Sequence, residues 1–242
     1  MKVDNLEQFK IEVNKALLTA DTRAEIEYQL LTFNYSKKRK GWEIREKGVL
    51  HCEWGPAIIY EDGSQAWYYE GKIHRTDGPA VMCSDGTQEW YFMDELHRED
   101  GPAIIGLNSF EEWHYLGQLH REDGPAIIRS DGAEEWYYLG QLHRTDGPAA
   151  IYPDGTKEWY YHDCRHRVDG PAVICSDGSE QWYFEGKLHR TDGPAIIKSD
   201  GTKEWWYMGY KHKEGGPAII RPDGTEEWWQ YGSRIVQEEK SY

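Results

Sequence analysis

Apolar residues recur along this chain with two different periods. In the first part they follow helical spacing: Leu6, Phe9, Val13 and Leu17 lie three or four apart, behind Asp4-Asn5. That spacing predicts an amphipathic helix. Thr22-x-x-Glu25 has the form of a capping box and predicts a second helix running to about Phe33. Lys37-Lys38-Arg39-Lys40 then reads as a short basic linker, and the alternation Trp42-Glu43-Ile44 as an extra capping strand. From about Gly48 the period changes to two. Ala126–Arg129 is a short apolar run with β-branched residues, followed by Asp131-Gly132, a hairpin-turn signal. Glu134–Leu139 reads as the returning strand, Gly140-Gln141 as a second turn, and Leu142–Asp146 as a connecting loop.

This pattern is repeated without insertion. Gly-Pro-Ala begins at Gly55, Gly78, Gly101, Gly124, Gly147, Gly170, Gly193 and Gly216, always 23 residues apart. A Trp follows each of these glycines by twelve residues and a His precedes each by four, so eight of the ten histidines are one repeated position. Seven units carry Asp-Gly at the first turn, and the third carries Asn108-Ser109. An array of this kind stacks one structural module on the next and buries a continuous core. The expected fold is mainly β: an elongated, twisted repeat sheet or solenoid of eight β-hairpins with a small N-terminal helical cap. Two strands per unit at ~4.8 Å give a step of ~10 Å and a length of roughly 80 Å. The expected organisation is a helical cap and basic linker over residues 1–47, the array over 48–232, and a polar tail over 233–242.

Alternation assigns faces. Ala126 and Ile128 point one way, and Trp136 and Tyr138 are expected to pack against the Ile128 row. Glu135 and Tyr137 then face the other side. The Tyr137 position is aromatic in seven units and His114 in the third.

Composition narrows the functions. The chain has 242 residues, 12 Trp and 17 Tyr, so it has large rings to bury and is not a disordered sequence. No run approaches the ~18–20 apolar residues of a spanning helix, and Met1–Ala20 lacks the apolar core of a secretory signal. These features place the expected protein in the cytoplasm, or a host's cytoplasm if viral, with no membrane partner. Net charge is −15. Of 28 basic and 43 acidic side chains, residues 1–47 hold 10 and 8, which leaves 18 and 35 for the remainder. A net −17 in the array excludes simple binding to nucleic acid or anionic lipid. Cys52, Cys83, Cys164 and Cys175 show neither CxxC nor zinc-ligand spacing and are read as free thiols.

The carriers Asp131-Gly132, Trp136, Tyr138, Gly140 and His143 resemble the MORN repeat family over about residues 48–232. The fuller motif, His-Arg-x-Asp-Gly-Pro-Ala, is similar to variant arrays in proteins of bacteriophages and large DNA viruses. The resemblance implies an elongated single-chain β array used for binding or scaffolding.

Candidate chemistry is sparse. No P-loop, GxGxxG, HExxH or nucleophile elbow is present. The segment His-Arg-x-Asp recurs in six units and reads either as a set of metal or acid–base sites or as a loop staple. Equivalent histidines ~10 Å apart cannot share one ion, whose ligands lie ~2 Å away, and an enzyme needs one special site, which near-equal copies do not supply. The staple is the better reading, with no cofactor and no metal. A hydrolase using a His–Asp pair is the remaining enzymatic alternative. The main expectation is a non-enzymatic module that binds a protein through an acidic, aromatic-rich face made by Tyr137, Tyr160, Tyr183, Trp206, Trp229, Glu135, Glu158, Glu204 and Glu227. The alternative is a phage-type inhibitor that presents acidic rows, as a nucleic acid does, to a basic host nucleic-acid-binding or defence protein. The N-terminal helices are the expected contact if the chain forms a homodimer.

Overall fold

The computed structural model describes residues 31–236. The two helices expected before residue 31 lie outside the described residues, as do residues 237–242. Within the described residues the chain is mainly β, with no α-helix and one 3-10 turn at Leu107–Ser109. No helix among them is long and apolar enough to cross a membrane.

The chain forms two compact units, Met1–Gln118 and Leu119–Tyr242. In the first, Leu31–Ser36 and Gly41–Glu46 make a hairpin with Tyr35 opposite Trp42. The predicted strand at Trp42–Ile44 is therefore present, but two parts of the N-terminal reading need correction. Leu31–Phe33, expected as the end of the second helix, is extended, and Lys37–Lys40 is the tip of a hairpin rather than a linker. Thr32, Phe33 and Tyr35 are β-prone, and pairing with Gly41–Glu46 overrides any local helical preference. Gly41–Glu43 then pairs with Ile58–Tyr60, and the antiparallel ladder continues through Gln65–Ala66, Val81–Met82, Gln88–Glu89, Ile104–Ile105 and Glu111–Glu112.

The second unit is a longer meander of the same kind. It starts Ile127–Ile128, Glu134–Glu135, Ala150–Ile151, Lys157–Glu158 and continues to Ile219–Ile220 and Glu226–Gln230. Ser233–Ile235, expected as polar tail, is a strand paired with Trp228–Gln230.

Each repeat contributes two strands to this ladder and then leaves it. The tryptophan is the junction. Trp136 N–H donates to the Ala149 carbonyl of the next repeat at 2.8 Å, while its own carbonyl accepts from His143 N–H at 2.9 Å. Beyond it, Tyr137–Tyr138 pairs with Gln141–Leu142 as a separate two-residue ribbon. The continuous strand expected over Glu134–Leu139 is thus two short strands. Leu139 and Gly140 have φ of 46° and 79°, the positive pair of a type I′ hairpin turn. At the first turn Asp131 Oδ1 accepts the Ala133 N–H at 3.0 Å and Gly132 has φ 90°, which explains the recurrent Asp-Gly.

The core is a row of small residues. The alanine of every Gly-Pro-Ala is fully buried. Beside it, Ile58, Ile127, Val173 and Ile219 are buried, and Ile58 packs with Leu50, Ala66, Tyr60 and Tyr68. The two side-chain sets separate as alternation predicts, since Ile127 lies opposite Glu135 and Ile128 opposite Glu134. Their burial differs from expectation: Ile127 is buried, Tyr137 half-buried, and Tyr138, placed inward from the sequence, is exposed.

Candidate interaction surfaces

The face expected to be acidic and exposed is neither. Glu158 and Glu204 are buried, each 7 % exposed, and Glu135 and Glu227 are half-buried. Each carboxylate accepts from the ring two residues on. Tyr137 Oη lies 3.0 Å from Glu135, Tyr160 Oη 2.7 Å from Glu158, Trp206 Nε1 3.2 Å from Glu204 and Trp229 Nε1 3.0 Å from Glu227. Tyr183 does the same to Gln181 at 3.0 Å. Each carboxylate also has a cation: Arg129 for Glu135 and Arg165 for Glu158, both at their closest 2.8–2.9 Å, Lys198 for Glu204 at 2.8 Å, and Arg221 for Glu227. Burial, followed by the neighbouring Glu, pushes the Tyr137 and Tyr160 hydroxyls up to about 12. Each of the four glutamates thus sits in its own local set of one ring donor and one cation. The cations at 129, 165, 198 and 221 were missed in the sequence because they sit six or seven residues from their carboxylates and vary between Arg and Lys.

On the opposite side the repeated histidines alternate with the aromatic row at the Tyr138 position of the repeat. In the first unit the rings run His51, Tyr69, His74, Phe92, His97, Tyr115, with neighbouring centroids 5.0–6.0 Å apart. In the second they run from His120 and Tyr138 through His143, Tyr161, His166, Phe184, His189 and Tyr207 to His212 and Tyr231. The histidine Nδ1 accepts a backbone N–H from the ribbon turn nineteen residues on. His120 takes Leu139 at 3.3 Å, His143 takes His162 at 3.2 Å and His166 takes Glu185 at 3.1 Å. These bonds require a neutral ring with its proton on Nε2. Tyr138, Tyr161, Phe184 and Tyr207 remain 38–53 % exposed, and Leu139 beside them is also exposed, so the column is a contiguous apolar strip.

The rest of the motif forms the connecting loop. Arg144 Cζ lies 4.1 Å above the Trp136 ring, its Nε donates to Asp146 at 2.7 Å and its Nη1 to the Pro148 carbonyl at 3.3 Å. Arg75, Arg98, Arg167 and Arg190 repeat this arrangement. The hydrogen bond from Arg144, then its charge, holds Asp146 below the usual carboxylate range. A Cβ on Gly147 would stand 3.0 Å from Arg144 Cζ, so the glycine of Gly-Pro-Ala makes room for the guanidinium. Between successive loops lies a groove of about 750 Å³ with Trp136, Tyr138 and His143 in its lining and the highly exposed carboxylates of Glu122, Asp123 and Asp146 at its rim. An equivalent groove contains Trp67, Tyr69, His74 and Asp77.

Among the described residues no group of three or more His, Cys, Asp or Glu is placed to hold a metal ion, and the four cysteines are unpaired. Six of the eight recurrent histidines, at 51, 97, 120, 143, 166 and 189, accept the ribbon-turn N–H and so staple the loop, whereas His74 and His212 have a buried Nδ1 without a hydrogen-bond partner. Comparison with protein-family models gives no match, and no curated protein matches the chain.

Proposed function

We propose that this chain is a non-enzymatic, MORN-like repeat module that binds a protein partner. The observation that carries the reading is the strip of Tyr138, Tyr161, Phe184 and Tyr207, whose half-exposed rings lie between successive histidines. Tyr and Phe rings on an exposed strip have the character of interface anchors. Near-equal copies of one loop argue against a single catalytic centre, including a His–Asp hydrolase. The acidic-decoy alternative loses its main support, because the Glu135, Glu158, Glu204 and Glu227 row is paired with Arg or Lys.

The test is affinity capture from lysate at low and high salt, repeated with a Tyr138→Ser/Tyr161→Ser variant. A partner kept in high salt and lost by the variant supports the strip. A nucleic-acid-handling protein released by salt and indifferent to the variant supports the decoy instead. Capture unchanged by both conditions removes the strip from the reading.

A further inference from the structure

The array is nearly uniform, so a unit that departs from it draws the eye. The ribbon turn ends in Gly in six units, as in Leu139-Gly140 and Glu185-Gly186, and in Asp in two, Met93-Asp94 and His162-Asp163, of which only the second places a histidine on the turn. His162 lies against the repeated His143. Their ring centroids are 4.3 Å apart at an interplanar angle of 40°. The His162 backbone N–H donates to His143 Nδ1 at 3.2 Å, and His162 Nδ1 is 2.7 Å from Gln141 Oε1. We infer that the His143–His162 pair is a pH-sensitive clasp on the turn that carries Tyr161. When both rings are neutral they lie tilted against each other and hold the turn closed. When the pair takes up protons, two imidazolium rings repel across 4.3 Å, and His143 Nδ1 becomes a donor facing the His162 N–H.

The surroundings offer little to balance that charge. Tyr161 lies 4.8 Å from His143 and 4.6 Å from His162, and Tyr138 6.2 Å from His143. Asp163 accepts the Leu142 N–H at 2.8 Å, and Cys164 is exposed. Across the groove, Asp146 is bonded to Arg144, and Arg121 to Asp123. Glu122 pairs with His120, at 3.9 Å. His97 and His120 have Glu99 and Glu122 within 4 Å of Nε2, whereas Thr145 occupies that loop position after His143. Burial, and then the charge of His162, holds the His143 imidazole below its ordinary value. The sign follows: the unfolded turn takes a proton near pH ~6.5 and the folded ring resists it, so closure is fully stable above that pH and weakens as pH falls below it.

The test is an NMR titration of the full chain between about pH 8 and 5, across the ordinary imidazole range. It follows the imidazole resonances and the exchange protection of the His162 amide, corrected for intrinsic exchange. The comparison is His162→Leu, which restores the residue found at Leu139, whose φ of 46° matches the 47° of His162. In the parent, His143 should titrate below the ordinary value with coupled behaviour, and protection at residue 162 should fall with pH. In the variant, His143 should titrate higher and as a single site, and protection at 162 should vary less with pH. Identical His143 titrations in parent and variant, or protection independent of pH, would overturn the clasp. None of these readings needs a partner, so the outcome is separate from that of the binding proposal.

Discussion

Arg144 and Trp136 meet face to face, with the guanidinium carbon 4.1 Å from the ring centre. The contact ties the loop of one repeat to the junction where that repeat leaves the ladder. Its partners make it a three-way fastening, because the same guanidinium also holds Asp146 and the Pro148 carbonyl. In the seventh repeat Lys213 takes the place of Arg, 3.7 Å from the Trp205 ring, with Glu214-Gly215 in place of x-Asp. Arg144→Lys should therefore keep the ring contact, worth about 0.5–2 kcal/mol, while losing the forked contacts that only a guanidinium makes. Arg144→Ala should lose both. Urea unfolding followed by tryptophan fluorescence should rank the parent above Lys and Lys above Ala.

Gly147→Ala should be harmful for one reason only, the 3.0 Å approach of its Cβ to Arg144 Cζ. The guanidinium would have to move off Trp136. In an Arg144→Ala background that obstacle is gone, and the same substitution should cost little. A double-mutant cycle on unfolding midpoints checks this. Additive costs would mean that the glycine serves some other need.

The tyrosines of the inner network make an alkaline prediction. Tyr91, Tyr137 and Tyr160 are each pushed up to about 12, first by burial. The unfolded chain gives up these protons near pH ~10, before the folded one does. Stability from these groups is thus intact below pH ~10 and declines as pH rises towards 12. Tyrosinate absorbance should show a fraction of the tyrosines ionising late in the folded protein, and the ordinary midpoint should return in denaturant.

Much of this architecture was legible in the residues. The 23-residue period, the Asp-Gly turns and the strand at Ile127–Ile128 follow from local chemistry, namely β-branched runs and positive-φ turn residues. The His-Arg-x-Asp-Gly-Pro-Ala loop was read as a staple, and His143, Arg144, Asp146 and Gly147 form one. What failed was burial. A row of glutamates reads as solvent-facing, but Glu158 is covered by Tyr160 and Arg165, a pairing set by ribbon register rather than by sequence distance. Tyr138 reads as core, yet it alternates with His120 and His143 on an open face. Counting by twos identified which side chains share a side; it carried no information on which side is covered.

Glu158 and Arg165 supply the last prediction. Glu158 is buried, and its nearest cation is Arg165, 2.9 Å away and about a third exposed. Removing Arg165 alone leaves a buried carboxylate whose other side-chain donor among the described residues is the Tyr160 hydroxyl. Full loss of a buried partner costs about 3–5 kcal/mol; the exposure of Arg165 discounts this to about 1–2 kcal/mol for Arg165→Leu. The first repeat shows how the charge can be dispensed with, since Ala66 and Ile73 stand at the equivalent positions and Ala66 packs with Ile58. The double variant Glu158→Ala/Arg165→Leu rebuilds that apolar arrangement and leaves no unpaired charge. It should be more stable than Arg165→Leu alone, even though it carries one more substitution. Thermal unfolding of the three proteins at neutral pH decides the matter: a double variant less stable than the single would show that the carboxylate contributes through Tyr160 rather than through its ion pair.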